Sequence, residues 1–253
     1  MEAFQLSLGR SAEVVDMATV EFRQPVAERG RELFEGIGTN RACSACHIDA
    51  GALDPEGINS NFDTGIRNLS LFGFPDNGFG DGTFNTPSLI EAARTPPLFH
   101  NNAAATIEEA AAFYTSPTFA SSPAGQFGGA FVLTPDQVNE IAAMLRTVSI
   151  IDVADNSVDR LRVARQPERR QFLLQVVISE INASINVLTA GPVPLGPTAV
   201  ERFIAARDLL SPLFGREAQP GDTEILADAG ELLATIRGLL LVDGQAQVAA
   251  GQR

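Results

Sequence analysis

Apolar residues recur at helical spacing over much of the chain. Four of them fall at positions i, i+3, i+4 and i+7, on one helical face: Ile107, Ala110, Ala111 and Tyr114. A second stripe follows the same rule: Val138, Ile141, Ala142 and Leu145. Thr106 with Glu109, and Thr134 with Gln137, are spaced as capping boxes, in which side chains satisfy unpaired N–H groups at a helix start. These patterns predict an all-α protein.

The region from Gly36 to Thr106 lacks this periodicity. It is rich in Gly, Asn, Asp and Pro, and no strand-like alternation persists in it. A loop of this length is uncommon in a compact domain unless it wraps a ligand. The segment from Thr115 to Val132 is also predicted to be a loop.

Helical spacing returns in the C-terminal part of the chain, after a polar link expected near residues 151–158. Helices are predicted over roughly 160–189, with Leu173 and Ile185 on the apolar side, over roughly 198–211, and from about Asp222 onward. The breaks between them are short, which favours an antiparallel helical bundle. This part of the chain carries no motif that we can connect to chemistry, and a structural role is favoured over docking of a partner.

The charge of the chain limits its partners. It has 31 acidic and 18 basic residues, all of the latter arginine, and a formal net charge of −13. Residues 1–150 hold 18 of the acidic residues and only 8 arginines. Such a surface does not suit nucleic acid or anionic lipid. Without lysine, the chain cannot use a Schiff-base or phosphate-loop lysine.

Cys43-Ser44-Ala45-Cys46-His47 has the C-x-x-C-H spacing of covalent haem c attachment. Two thiols on one turn can reach the vinyl groups of a single porphyrin, and the adjacent imidazole can bind the iron. Cys43, Cys46 and His47 are therefore the predicted haem ligands. Three other interpretations stay open: a Cys43–Cys46 disulfide, a thioredoxin-like redox pair, and a zinc site that adds His100.

Further segments stand in a recognisable order on either side of the haem motif. Glu28–Phe34 precedes it, and four segments follow it: Gly82–Leu89, Thr95–His100, Thr106–Ala110 and Phe113–Tyr114. On these segments, residues 28–150 resemble the C-terminal haem domain of the bacterial di-haem cytochrome c peroxidase family, which includes the MauG branch. The resemblance implies a c-type cytochrome domain over 18–150, with long haem-wrapping loops, followed by a helical bundle over 151–253. Because the family carries two haem domains, residues 1–17 would be the tail of a preceding domain's last helix, in a longer protein.

The resemblance leaves open which group binds the iron opposite His47. Position 114 is a tyrosine, as in the MauG branch, where many family members have a methionine. Tyr114 is thus the favoured ligand, and its phenolate would stabilise ferric iron. The alternatives are water, His100, Met1, Met17 or Met144. Tyr114 could also be an ordinary core tyrosine with its hydroxyl satisfied nearby.

The resemblance also implies roles for three residues before Tyr114. It places His100 close to the haem without binding iron, as a catalytic residue that contacts a propionate or assists proton transfer; a structural histidine is the alternative. The backbone carbonyls of Thr95 and Pro97 would help to bind calcium between two haem domains. Otherwise Thr95-Pro96-Pro97 is only a rigid turn.

The expected function is that of a peroxidase-family oxidoreductase module in the periplasm. It would carry electron transfer, or a high-valent haem for peroxide-dependent oxidation. Its partners would be the upstream haem domain, a basic redox protein drawn to the acidic surface, and hydrogen peroxide. The alternative is a mono-haem electron carrier without turnover. The sequence has no signal-peptide pattern and no apolar run long enough to cross a bilayer, so no membrane span is expected.

Overall fold

The computed structural model describes residues 15–54, 56–69, 74–78, 80–191 and 195–242. These residues are mostly helical, which confirms the predicted all-α class. Two short strands, β1 (Asn61–Phe62) and β2 (Phe84–Asn85), pair antiparallel. The α-helices in this part of the chain are α1 (Pro25–Phe34), α2 (Ile107–Phe113), α3 (Pro117–Ala120), α4 (Pro123–Gly128), α5 (Pro135–Val163), α6 (Pro167–Ala190), α7 (Pro197–Leu210) and α8 (Asp222–Leu240).

Proline residues and polar caps explain where these helices start. Helices α1 and α3 to α7 all begin with proline, whose fixed φ suits the first turn and which leaves no N–H unpaired. At the start of α2, the Thr106 hydroxyl accepts from the Glu109 N–H (3.1 Å). At the start of α5, Thr134 and Gln137 exchange two hydrogen bonds of 2.8 and 3.2 Å. Both predicted cap positions are thus confirmed.

The predicted loop over Thr115–Val132 is wrong, because α3 and α4 lie within it. Each of these helices starts with a Ser-Pro pair, and the serine hydroxyl accepts a backbone N–H of the first turn. Ser116 accepts from Phe119, and Ser122 accepts from Gly125. Both helices are too short for apolar periodicity to reveal them.

The predicted polar link over 151–158 is also wrong, because α5 runs through it without a break. The polar side chains fit into the helix, where the Asn156 amide donates to the Asp152 carboxylate one turn earlier (2.9 Å). The chain leaves the helix at 164–166 instead, just before Pro167, which cannot continue a helix. Helix α6 therefore begins later than predicted, and its buried apolar face is Leu174, Val177, Ile181 and Leu188. Leu173 and Ile185 are only partly buried.

The chain divides into two compact units. Of the described residues, those up to Val20 and those within Pro25–Val148 form the first unit, and those within Glu21–Gln24 and from Ser149 onward form the second. The division falls inside α5. Within the first unit α1 contacts the Cys43–Ala45 turn, and within the second α7 packs against α6 and α8.

The predicted helix tail over residues 1–17 lies largely outside the described residues, as does Met1. The described end of this segment belongs to the first unit, where Val15 and Met17 are buried. The Met17 N–H donates to the Asp49 carboxylate (2.8 Å). These contacts tie residues 15–17 to the region that follows the haem motif.

Helix α6 is long and apolar enough, by length and composition, to cross a membrane. Apart from Phe172 and the terminal Ala190, its exposed positions from the second turn onward carry polar side chains at helical spacing: Gln175, Ser179, Asn182, Asn186 and Thr189. A polar stripe opposite a buried apolar face is typical of an amphipathic bundle helix. The expectation of no membrane span stays a prediction.

Candidate functional site

The haem motif lies on one tight turn, Cys43–His47, which we name the motif turn. Its first residues form a 3₁₀ helix, and the N–H groups of Cys46 and His47 both donate to the Cys43 carbonyl (3.1 and 3.0 Å). Both cysteines are partly buried free thiols. Two sulfurs and one imidazole therefore come from a single compact turn, as attachment of one porphyrin requires.

The His47 imidazole is buried and oriented by a backbone carbonyl. Its Nδ1 lies 3.2 Å from the Gly51 carbonyl oxygen. Because a carbonyl only accepts, this bond places the proton on Nδ1 and leaves the lone pair on Nε2. Burial lowers the pKa of His47 to about 4, although the carbonyls of Gly51 and Pro87 oppose the shift. A neutral imidazole with an orienting bond on its other nitrogen is the form that ligates a metal.

The chain reverses sharply after His47, and this reversal brings the Gly51 carbonyl back to the ring. Asp49 and Ala50 have φ values of 52° and 58°, in the left-handed region that residues other than glycine rarely adopt. Ala50 is fully buried, and its carbonyl accepts from the Leu89 N–H (2.8 Å). Such backbone strain persists where surrounding contacts hold it, and it clusters at functional sites.

An aromatic cluster packs beside the motif turn. Its buried residues are Ile66, Phe113, Phe119 and Phe131, and among the partly buried side chains against them are Cys43, Phe84, Phe99 and Tyr114. The rings meet edge to face, with centroids 5.0 Å apart for Tyr114 and Phe119 and 5.2 Å apart for Phe99 and Phe113. Cys43 thus borders an apolar wall, which is the environment that a porphyrin face needs.

Tyr114 lies at the C-terminal end of α2, in the aromatic cluster. Burial raises the pKa of its hydroxyl, and the neighbouring thiols of Cys43 and Cys46 raise it further. The structure therefore brings Tyr114 into the electrostatic neighbourhood of both predicted haem thiols. Its role as an iron ligand stays a prediction.

His100 lies at the edge of the same region. Its ring stacks on Phe84, with centroids 3.7 Å apart and an angle of 16° between the planes. Its Nε2 lies 3.2 Å from the Asp76 carbonyl oxygen and 3.7 Å from an Asp76 carboxylate oxygen. Phe84 also packs on the aromatic cluster. Its ring therefore links His100 to the residues that surround Cys43 and Tyr114.

The other candidate residues lie elsewhere in the first unit. Thr95 and Pro97 are exposed, and the Thr95 hydroxyl donates to the Glu91 carbonyl (3.1 Å). Met17 and Met144 are fully buried, and Met144 lies at the close crossing of α1 and α5 beside Gly30. Calcium binding at Thr95 and Pro97 stays a prediction.

The zinc interpretation gains no support from the geometry. It needs Cys43, Cys46, His47 and His100 to converge on one point. Within the part of the chain that the structure describes, no group of three or more His, Cys, Asp or Glu side chains is placed to hold a metal ion. The free thiols likewise give no disulfide between Cys43 and Cys46.

Arg41 is a site residue that the sequence analysis missed. Its guanidinium lies over Phe131 at 5.0 Å and over Phe119 at 5.8 Å from the ring centroids, and it donates to the Gly129 carbonyl. Burial raises the pKa of Cys43 to about 12 and also raises the pKa of Cys46, and the positive charge of Arg41 opposes both shifts. Its position two residues before Cys43 was the only available signal.

The comparisons with known proteins identify no family for this chain. No protein-family model, no curated protein and no solved structure matches the chain.

Proposed function

We propose that this chain is a haem c-containing oxidoreductase module of the di-haem cytochrome c peroxidase and MauG type. The observation that carries the proposal is the motif turn, on which two free thiols accompany a buried, neutral His47 with its Nδ1 already bonded. The nearby aromatic cluster and Tyr114 supply the apolar surroundings and a second oxygen donor. These residues fit a covalent haem c held within long loops.

In this proposal Cys43 and Cys46 form thioether bonds to one porphyrin, and His47 Nε2 binds the iron. The bound haem would supply one-electron redox chemistry at its iron. The Gly51 carbonyl holds the imidazole in the ligating tautomer. The aromatic cluster excludes water from one side, so charges near the iron act in a medium of low dielectric constant.

Tyr114 would be a second protein ligand of the iron, in its phenolate form. Burial raises the pKa of its hydroxyl, so this form would arise only beside a bound cationic group, with the proton released to solvent. His100, whose Nε2 lies 3.2 Å from the Asp76 carbonyl oxygen, would assist proton transfer, in a reaction that takes up two protons and two electrons for each peroxide converted to two waters. Because Tyr114 would be an iron ligand here, the peroxidatic haem would be that of the upstream domain.

The wider setting is part of the same proposal. The electrons would come from a basic redox protein attracted to the first unit, and an upstream haem domain would complete the di-haem arrangement. The carbonyls of Thr95 and Pro97 would share a calcium ion with that domain. The site of action would be the periplasm, where haem c is attached.

The decisive experiment is maturation of the chain in cells that carry the haem c attachment machinery. We expect one haem per chain that survives denaturation on a gel, with a pyridine haemochrome spectrum of two thioether bonds. Cys43→Ser and Cys46→Ser should each change that spectrum to that of one thioether bond. A colourless chain, or haem that leaves on denaturation, would refute the proposal.

A second candidate function is an electron carrier without turnover. The proximity of Tyr114 to the motif turn favours it, because His47 and Tyr114 together would fill both axial positions and leave none for peroxide. Stopped-flow mixing of the reduced, matured protein with peroxide separates the two functions. Fast reoxidation supports the enzyme, whereas slow bleaching supports the carrier.

A further inference from the structure

Asn59 is a partly buried asparagine whose side-chain amide joins the two backbone segments that lie against His47. Its Nδ2 donates to the Ala52 carbonyl (2.7 Å) and to the Thr86 carbonyl (3.0 Å). Its Oδ1 accepts from the side-chain amide of Asn85 (2.7 Å). Both amide hydrogens are therefore used, and none of these three partners is itself a predicted haem ligand.

On one side, Asn59 fixes the backbone directly after the carbonyl that orients the imidazole. The Gly51 carbonyl oxygen lies 3.2 Å from His47 Nδ1, and Ala52 is the next residue. Ala52 is buried, with 2% of its surface exposed. Because each peptide unit is planar, a fixed Ala52 carbonyl limits the rotation that could turn the Gly51 carbonyl away from the ring.

On the other side, Asn59 fixes the backbone directly before a second carbonyl that faces His47. That carbonyl belongs to Pro87, and it opposes the effect of burial on the imidazole. The preceding residue, Thr86, is buried, and both its N–H and its hydroxyl donate to the Ser60 carbonyl (3.1 and 3.2 Å). The Asn59 amide thus bridges the segments that carry both carbonyls.

Asparagine is the side chain that these three hydrogen bonds require. Carbonyl oxygens only accept, so Ala52 and Thr86 need two donors, whereas the Asn85 amide needs an acceptor. Aspartate offers no donor, and leucine, which has a similar size, offers neither a donor nor an acceptor. Replacement of Asn59 would therefore release both carbonyls at once.

We propose that Asn59 is a positioning residue, which holds the carbonyls around His47 in place and thereby sets the strength of His47 as an iron ligand. This inference rests on the proposed function, because it needs the haem that His47 would bind. A bond from Nδ1–H to a fixed carbonyl makes the imidazole more basic. A more basic ligand favours ferric over ferrous iron, so Asn59 would keep the reduction potential of the haem low.

Potentiometric titration of the matured full chain tests the proposal with Asn59→Leu. We expect the reduction equilibrium to shift roughly threefold toward the ferrous form. The His47 Nδ1 hydrogen should also exchange with solvent roughly fivefold faster, since a loosened carbonyl protects it less. Proton–nitrogen NMR of the carbon monoxide-bound ferrous protein, which is diamagnetic, measures this exchange.

Two further variants keep the test decisive. Asn59→Ser removes the same donors with a smaller side chain and should shift both measurements in the same direction, even where the leucine variant does not fold. Asn101→Leu is the matched control, because Asn101 is also partly buried and donates to a backbone carbonyl, that of Ile66 (3.1 Å). It should change the potential and the exchange rate less than Asn59→Leu does.

The outcomes separate this inference from the proposed function. Covalent haem in the Asn59 variants, with an unchanged potential and an unchanged exchange rate, would overturn the role of Asn59 and leave the haem proposal intact. Equal shifts in Asn101→Leu would also overturn it, because they would show only a general effect of a lost hydrogen bond. A wild-type chain without covalent haem would refute the proposed function and this inference together.

Discussion

Gly30→Ala tests the close crossing of α1 and α5 in the first unit, next to the motif turn that α1 contacts. An alanine Cβ would lie 2.9 Å from the Met144 Cβ, 2.5 Å from the Glu140 carbonyl carbon, and closer still to that carbonyl's oxygen. Carbon atoms in contact normally lie ~3.5–4.0 Å apart, so the two helices would have to separate by roughly 1 Å. The nearest atoms are backbone atoms, which cannot rotate out of the way.

The size of the effect follows from two opposing contributions. Overpacking typically costs ~1–3 kcal/mol, and alanine's higher helix propensity offsets ~1 kcal/mol of it. Because backbone atoms must move, we expect an overpacking cost of ~3 kcal/mol. After the offset from helix propensity, the net destabilisation is ~2 kcal/mol. Thermal unfolding followed by far-UV circular dichroism should then show a Tm lower by roughly 4–8 °C.

Gly230→Ala in α8 is the matched control. A Cβ at Gly230 meets no atom within 4 Å, so the same substitution should stabilise the protein by up to ~1 kcal/mol through helix propensity alone. The two variants should therefore shift Tm in opposite directions. A Gly30→Ala protein as stable as Gly230→Ala would show that α1 and α5 do not cross closely at Gly30.

Three further predictions concern the candidate site and the second unit. Tyr114→Phe should change the ferric absorption spectrum of the matured protein and raise its reduction potential, because a phenolate ligand stabilises ferric iron. Arg41→Gln should lower the reduction potential by roughly tens of millivolts, because a nearby positive charge favours the reduced haem. Potentiometric titration measures the reduction potential of both variants. The hydrogen bonds from Arg216 lower the pKa of Asp222 to about 2. The ionised carboxylate therefore stabilises the folded state. This contribution is complete above the unfolded-state pKa near 3.8 and is lost as the pH falls toward 2. Asp222→Asn should be less stable at neutral pH and should lose this pH dependence, as Tm measured between pH 2 and 6 would show.

Matched variants make these outcomes interpretable. Arg29→Gln removes the same charge as Arg41→Gln from an exposed position of α1, and it should change the potential less. Asp208→Asn removes an exposed carboxylate of α7 and should leave the acid dependence of Tm in place. An unchanged ferric spectrum in Tyr114→Phe would exclude tyrosine ligation. Equal potentials for the two arginine variants would remove Arg41 from the haem environment.

The helical predictions succeeded where the signal was local. Thr106, Thr134 and Pro135 act on backbone groups within four residues of themselves. The start of α2 at Ile107 and the start of α5 at Pro135 could therefore be predicted. The predicted link over 151–158 failed because its polar residues bond along the helix, as Asn156 does with Asp152. Apolar periodicity does not detect hydrogen bonds between polar side chains of the same helix. Pro167, which follows the end of α5, was the better signal for this boundary.

The candidate site divides in the same way. Cys43, Cys46 and His47 lie within one five-residue segment, so their place on one tight turn could be predicted from spacing alone. The partner of His100 lies 24 residues away at Asp76, and the rings against Tyr114 come from three segments, with Phe113 in α2, Phe119 in α3 and Phe131 after α4. Ten of the 16 phenylalanines fall between residues 62 and 131, which hinted at an aromatic region without showing which rings would meet.

The C-x-x-C-H motif and most helix starts are therefore determined by neighbouring residues, because caps and turns act over a few bonds. The net charge follows from composition alone. The burial of His47, the position of Arg41 over two rings and the pairing of Asp222 with Arg170 depend on how distant segments pack. The Arg170–Asp222 pair joins residues 52 positions apart. Such pairs form only after the backbone path has been set by burial of the whole core, and no local pattern encodes that path.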